Sequence, residues 1–277
     1  SGVRSLFCCC ALVLLFAADA GAERYLVLPP AEGGEAAGGL VEGRVQPLYR
    51  HLGISVVETD VPRAELARAN GDRIFVDASL PFVASGVVLG DAAGGQPLSW
   101  HQDLAQEFQQ WIPLDSVDPS RVLLFILDTG VRIDHPDLAS HLLPELGCNV
   151  IDADSPDDVG DDNGHGTAVA GMAGGDATGC WPALSLVPIK VADEEERSTL
   201  EHFAAAFDDV LGRAVDPENP LWGKNLVFNV SYSVVCGDPE EEAAVELFFT
   251  TVFDSFARKG CRALFCFSAG NSSADVA

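Results

Sequence analysis

Five apolar runs, at residues 121–127, 148–151, 184–191, 225–230 and 261–268, constrain this chain more than any other feature. They are short and almost continuous in Val, Ile, Leu and Phe, which leaves no room for a polar face. Strands buried on both faces read this way, and such strands belong to parallel sheets covered by helices. Helix signals fill the gaps between them. A small-residue helix is predicted from Gly166 to about Gly174, and a second opens at Ser198-Thr199-Leu200-Glu201. There the Ser198 hydroxyl and the Glu201 carboxylate form a capping box over the exposed N–H groups. The third opens at Asp238-Pro239, a cap followed by a residue with no N–H to lose, and ends at Gly260. The alternation predicts a three-layer α/β fold around a parallel sheet, without internal repeats.

A smaller unit precedes it. Residues 24–28, 53–58 and 73–77 read as strands, and residues 62–70 as a short helix closed by Gly71, enough for a small α/β domain. Residues 85–99, with Gly86, Gly90, Gly94, Gly95 and Pro97, have the composition of a linker. Residues 1–22 resemble a secretory leader: Arg4, an apolar run over 6–16, then small residues at Ala18, Ala20 and Ala22. The run is short of the ~20 residues a membrane span requires. The expected division is therefore 1–22 leader, 23–96 small domain with linker, and 97–277 main domain.

The formal net charge of −26 excludes a nucleic-acid partner and docking on anionic membranes. Of eight cysteines, Cys8, Cys9 and Cys10 fall in the leader. Cys148, Cys180, Cys236, Cys261 and Cys266 suit an oxidising compartment, and none has the CxxC spacing of a zinc site. Cys148 leads one strand and Cys180 precedes the next, so these two are the expected bridge.

Chemistry-bearing residues stand at three element ends: Asp128 in Leu127-Asp128-Thr129-Gly130, His165 in Asn163-Gly164-His165-Gly166-Thr167, and Asn271 in Ala269-Gly270-Asn271. Each alone is an ordinary turn or strand exit. Glycines flanking one histidine let another segment approach it closely, and a carboxylate closing a buried strand sits where open α/β sheets place their ligands.

With Asn229-Val230-Ser231-Tyr232-Ser233 and His135-Pro136-Asp137-Leu138 added, residues 122–271 resemble the subtilisin-like serine proteases. The resemblance implies a subtilisin-like fold and hydrolysis of polypeptide substrates. It makes Asp128 the residue that orients His165, His165 the general base, and Asn271 the oxyanion donor. Ser231, Tyr232 and Ser233 would line the cleft and pair with a peptide as an added strand, with Ala269 and Gly270 on the opposite wall. Residues 23–96 would be an inhibitory propeptide, and the enzyme a secreted monomer.

Departures accompany the likeness. Ser233 stands where many relatives carry glycine, and Ala168 where a second histidine often follows. Asp137 matches a calcium-ligand position in some relatives, but residues 175–181 offer no partner ligands; no cofactor is expected, with structural calcium left as the open alternative. The family's serine nucleophile, in a Gly-Thr-Ser-x-Ala type motif, does not occur up to Ala277, and the chain reads as stopping before it. Six aspartates in residues 152–162 read as a solvated loop rather than a cation site. The sequons at Asn229 and Asn271 fall on active-site positions and are not expected to carry glycans. An aspartic protease is the rival enzyme reading, but it needs a second Asp-Thr-Gly, which is absent. A non-catalytic peptide binder or a propeptide-type inhibitor is the rival outside enzymes, and it leaves Asp128, His165 and Asn271 together without a chemical reason.

Overall fold

The computed structural model describes residues 22–29, 44–70, 73–84, 107, 118–182 and 184–268. At its centre β6 (Val122–Asp128) is buried from Leu123 onward. It pairs in parallel with β8 (Ser185–Lys190) on one side and β10 (Asn225–Val230) on the other. β7 (Cys148–Asn149) and β12 (Arg262–Phe267) complete a five-stranded parallel sheet of order β12-β10-β6-β8-β7.

Both faces are covered because the side chains of β6 alternate. Leu123, Phe125 and Leu127 pack with α3 (Leu200–Ala214) and α4 (Pro239–Arg258), whereas Leu124 and Ile126 pack toward Ala170 of α2 (His165–Gly174). The expected three layers follow, and Asp128 shares the parity of the α2 face. In-register pairing also lines up Phe125, Phe228 and Phe265 across three strands. Their rings stack at 5.0 and 4.8 Å, with Phe207 and Phe256 edge-on to Phe228. Contacts of this kind contribute about 0.5–1.5 kcal/mol each beyond area burial.

Asp238 caps α4, accepting from the N–H groups of Glu240 and Glu241 at 2.8 and 2.9 Å. At α3 the cap moves one residue from its expected place. Ser198 belongs to a short strand, β9 (Ser198–Thr199), and its hydroxyl donates to the Val191 carbonyl at 2.6 Å. Thr199 caps instead, in a capping box with His202. Glu201 is drawn away because Arg24 donates to both of its oxygens and Tyr49 to one of them.

The N-terminal unit is a four-stranded antiparallel sheet of order β2-β3-β1-β4, formed by β1 (Glu23–Val27), β2 (Arg44–Tyr49), β3 (Ile54–Thr59) and β4 (Phe75–Asp77). Leu66 of α1 (Arg63–Ala69) packs with Tyr25, Val27, Val57 and Phe75 on one face. The other face, with Leu26, Ile54, Val56 and Val76, joins the core of α3 and α4. Buried Asp208 of α3 accepts from the N–H groups of His51 and Leu52 at 2.7 and 2.9 Å, fastening the two units together. Strand β2 was not expected, nor was β5 (Pro81–Ala84), which directly precedes the expected linker. That linker and the leader lie outside the described residues.

The two cysteines of the expected Cys148–Cys180 bridge lie in different surroundings. Cys148 is buried in the cluster beneath α3 and α4, while Cys180 is exposed beyond the opposite face of the sheet, in the loop after α2. Among the described residues no helix is long and apolar enough to cross a membrane.

Candidate active site

Asp128 ends β6, and His165 begins α2. The two come together with His165 Nδ1 at 2.7 Å from Asp128 Oδ1. Asp128 is fully buried, and the His165 side chain is 12% exposed, so one group is shielded and the other reaches the surface. Asp128 Oδ1 also accepts from the Thr129 N–H at 2.8 Å. An ionised carboxylate can only accept, so it fixes the Nδ1–H tautomer of a neutral His165 and leaves Nε2 as the basic nitrogen.

Two glycines make this approach possible. A Cβ on Gly166 would lie 2.0 Å from the Gly130 carbonyl oxygen. Gly130 has φ 105°, and a Cβ there would lie 2.4 Å from the Gly160 oxygen. The first N–H groups of α2, which have no intrahelical acceptor, find side chains. His165 N–H donates to Asn163 Oδ1 at 3.0 Å, and Gly166 N–H to Thr129 Oγ1 at 3.1 Å.

Burial raises the Asp128 carboxyl above its ordinary value, against the hydrogen bonds from His165 and Thr129. The hydrogen bond to Asp128 and that carboxylate's charge raise His165 above the ordinary imidazole value, against burial. Glu196 and Asp161 add smaller contributions in the same direction. A neutral imidazole held by a buried carboxylate can take a proton from a hydroxyl at its free nitrogen, the arrangement of a general base.

Beside this pair Tyr232 is buried, its ring edge-on to His165 with centroids 6.2 Å apart. Burial first, then the negative charge of Asp128, holds its phenol far above the ordinary value, so it stays neutral. Ser231 Oγ accepts from Asn229 Nδ2 at 2.8 Å. Ser233 lies in β11 (Tyr232–Val234), which pairs antiparallel with β5 in the register Tyr232↔Ala84, Ser233↔Val83 and Val234↔Phe82. On its other edge β5 pairs with β9. An extended segment of the chain itself thus lies between β11, whose Tyr232 stands edge-on to His165, and β9. Asn271, Ala269 and Gly270 lie outside the described residues.

Asp137 is tied to the loop after α2. Its Oδ1 accepts from the Ala177 N–H and its Oδ2 from the Thr178 hydroxyl, both at 2.7 Å. Among the described residues no group of three or more His, Cys, Asp or Glu side chains could hold a metal ion.

Sequence reasoning missed Thr129, Asp161 and Lys190. Lys190 is 5% exposed at the end of β8, and its Nζ donates to the Gly160 carbonyl at 2.7 Å and to Asp162 Oδ2 at 2.8 Å. A lysine closing an apolar run is the same signal that singles out Asp128. Asp161 carries no such signal among six aspartates.

Known proteins share these features. The model of the Subtilase family matches residues 120–277. An extracellular serine proteinase of Thermus sp. (strain Rt41A) is 27% identical over 185 residues, 65% of this chain and 42% of that protein. A subtilisin-like protease of Coccidioides posadasii is 31% identical over 134 residues, 47% of this chain and 33% of that protein. The chain thus spans less than half the length of these relatives. Among solved structures, a cold-adapted subtilisin-like serine proteinase aligns with a TM-score of 0.41 at 25% identity, over 58% of this chain and 50% of that one. With more than half of its residues matched by that family model, the chain belongs to the subtilase family.

Proposed function

We propose that this chain belongs to a secreted serine endopeptidase precursor. In it Asp128 and His165 act with a serine outside residues 1–277 to hydrolyse peptide bonds. The observation that carries the reading is the 2.7 Å contact between a fully buried carboxylate and a partly exposed imidazole. His165 takes the serine proton at its free nitrogen as the hydroxyl attacks the scissile carbonyl, then passes it to the leaving amine. Asp128 stabilises the imidazolium in between without being protonated itself. Asn271 donates to the oxyanion, while Ala269 and Gly270 face Ser231, Tyr232 and Ser233 across the specificity pocket. The substrate is a polypeptide that binds as a strand along β11. The enzyme is a monomer.

Residues 23–96 act as an intramolecular inhibitor, a role supported by the position of β5. Antiparallel pairing with both β11 and β9 fills the groove that a substrate strand would use. Export is supported by the leader at residues 1–22, which is removed on secretion.

The test uses the protein extended through its downstream sequence. The wild type is expected to cleave casein and to react with a fluorophosphonate. Asp128→Asn is expected to lower turnover by about 10⁴, the loss measured for the matching change in another triad protease, and His165→Ala by at least as much. Full turnover in either variant would remove the triad, and a wild type that neither cleaves nor labels would remove the peptidase.

A further inference from the structure

Asp161 stands three residues before the N-cap of α2 and belongs to neither side of the Asp128–His165 pair, yet it bonds to both. Its Oδ1 accepts from the Thr129 hydroxyl at 2.8 Å, the Gly164 N–H at 2.8 Å and the Asn163 N–H at 3.1 Å. Its Oδ2 accepts from the Thr167 N–H at 2.9 Å and from the Thr167 hydroxyl. Thr129 adjoins Asp128, and Thr167 lies on the first turn after His165.

We propose that Asp161 is a positioning residue, whose carboxylate sets the distance and orientation of the α2 N-terminus against the turn after β6. The proposal rests on the reading of Asp128 and His165 as the catalytic pair.

Chemistry narrows the side chain that can do this. Donors approach both oxygens, so an amide would turn an NH₂ group toward N–H and O–H groups and leave hydrogen bonds unmade. A Glu carboxylate would stand one methylene too far out. The loop carrying Asp161 is itself fixed on either side, because Lys190 Nζ grips the Gly160 carbonyl and the Asp162 carboxylate. Lys190 in turn lies opposite Asp128 in the parallel ladder. Both the loop and the helix are therefore referenced to the strand end that carries the acid. Burial works to raise the Asp161 carboxyl, but the hydrogen bonds from Thr167, Gly164 and Thr129 outweigh it and hold the group below its ordinary value. Asp161 is thus ionised at any pH where His165 is neutral. Its charge also favours the positive end of the α2 dipole.

Proton NMR of the full chain, residues 1–277, tests the assignment through His165 itself. The wild type is expected to show a solvent-protected Nδ1 proton far downfield, and an imidazole that titrates above its ordinary value. Asp161→Asn should abolish the downfield signal and return the titration toward ordinary. Asp158→Asn removes an equal charge from the same loop, at a group that accepts from the Gly160 N–H, and should change neither. Thr167→Val keeps the Asp161 charge but deletes one donor, so it provides the reading if Asp161→Asn fails to fold. Faster solvent exchange of the downfield proton is expected there. In the extended enzyme, Asp161→Asn should lower kcat about 10²-fold at nearly constant KM, the cost of misplacing a catalytic group by roughly 1 Å. A merely structural role would lower thermal stability and leave the proton, the titration and kcat where they were, which overturns the proposal. A wild type lacking the downfield proton would instead overturn the catalytic pair, so the two failures are distinguishable.

Discussion

Replacing Gly166 with alanine tests the packing that brings α2 to β6. The added Cβ would lie 2.0 Å from the Gly130 carbonyl oxygen, 3.0 Å from Asp128 Cβ and 3.1 Å from Asp128 Oδ1. The nearest obstacle is backbone, in a turn that Gly160 closes from behind. The helix must therefore retreat by about 1 Å or more to reach a tolerable contact. A retreat of that size takes the 2.7 Å Asp128–His165 contact beyond hydrogen-bonding range. Overpacking costs about 1–3 kcal/mol, and the lost hydrogen bond to a buried carboxylate adds about 1.5–3 kcal/mol. A total near 3–6 kcal/mol corresponds to a fall of roughly 1 M or more in the urea midpoint. Gly164→Ala is the control: its φ of 112° strains any side chain, but nothing lies within 4 Å of the added Cβ. It should cost only about 1–2 kcal/mol. Urea unfolding followed by tryptophan fluorescence compares the two. A Gly166→Ala chain no less stable than Gly164→Ala, with its Asp128–His165 hydrogen bond intact by NMR, would refute the steric reasoning.

Because the proposed base His165 must be neutral to act and is raised above the ordinary ~6.5, the acid limb of kcat/KM in the extended enzyme should lie above that value. A limb at or below it would contradict the geometry. The same shift has a stability consequence. A folded pKa above the unfolded one gives stability that is fully present below about pH 6.5 and is lost as pH rises through the folded value. Relative to His165→Gln, the wild type should lose urea stability over that window, and a gain with pH would refute the sign. Calcium chelation should leave the thermal midpoint within about 2 °C, whereas Thr178→Val, which removes the hydroxyl that donates to Asp137 at 2.7 Å, should lower it by a few degrees at about 1 kcal/mol for the lost bond. A large drop on chelation would mean that a cation holds this loop. Phe82 is 3% exposed and packs on Phe203 at 4.2 Å between ring centroids, so Phe82→Ala should cost about 3–5 kcal/mol and speed amide exchange in β5 while β6 and β10 stay protected. Unchanged exchange in β5 would show that this ring does not hold the strand in the groove.

The residues read correctly from the sequence are those whose environment is set by their own neighbours. The run Val122 to Leu127 is apolar because both faces are covered, and that continuity alone indicated a central parallel strand. Asp238 with Pro239 opens α4 as their backbone chemistry requires. Misread residues answer to partners far away in the chain. Glu201 has the spacing of a capping box with Ser198, but Arg24, 177 positions earlier, claims it, and Ser198 is recruited into a strand beside Phe82. Strand β5 is four residues long and opens with proline. Its hydrogen bonds come from β11 and β9, on segments far away in the chain.

The candidate site divides the same way. Asp128 and His165 were legible because a charge closing a buried strand and a histidine between glycines are unusual in themselves. Asp161 was not, because an aspartate among aspartates is distinguished only by which donors reach it, and those come from Thr129 and Thr167 on two separate elements. Local sequence can therefore nominate the groups that would react, whereas the groups that hold them in register emerge only when strand and helix ends are set side by side. The consequence is an asymmetry in the variants. Losing His165 removes the proposed base and leaves a helix end still capped by Asn163, Thr129 and Asp161. Losing Asp161 leaves both reacting groups present and takes away the geometry that makes their 2.7 Å contact dependable.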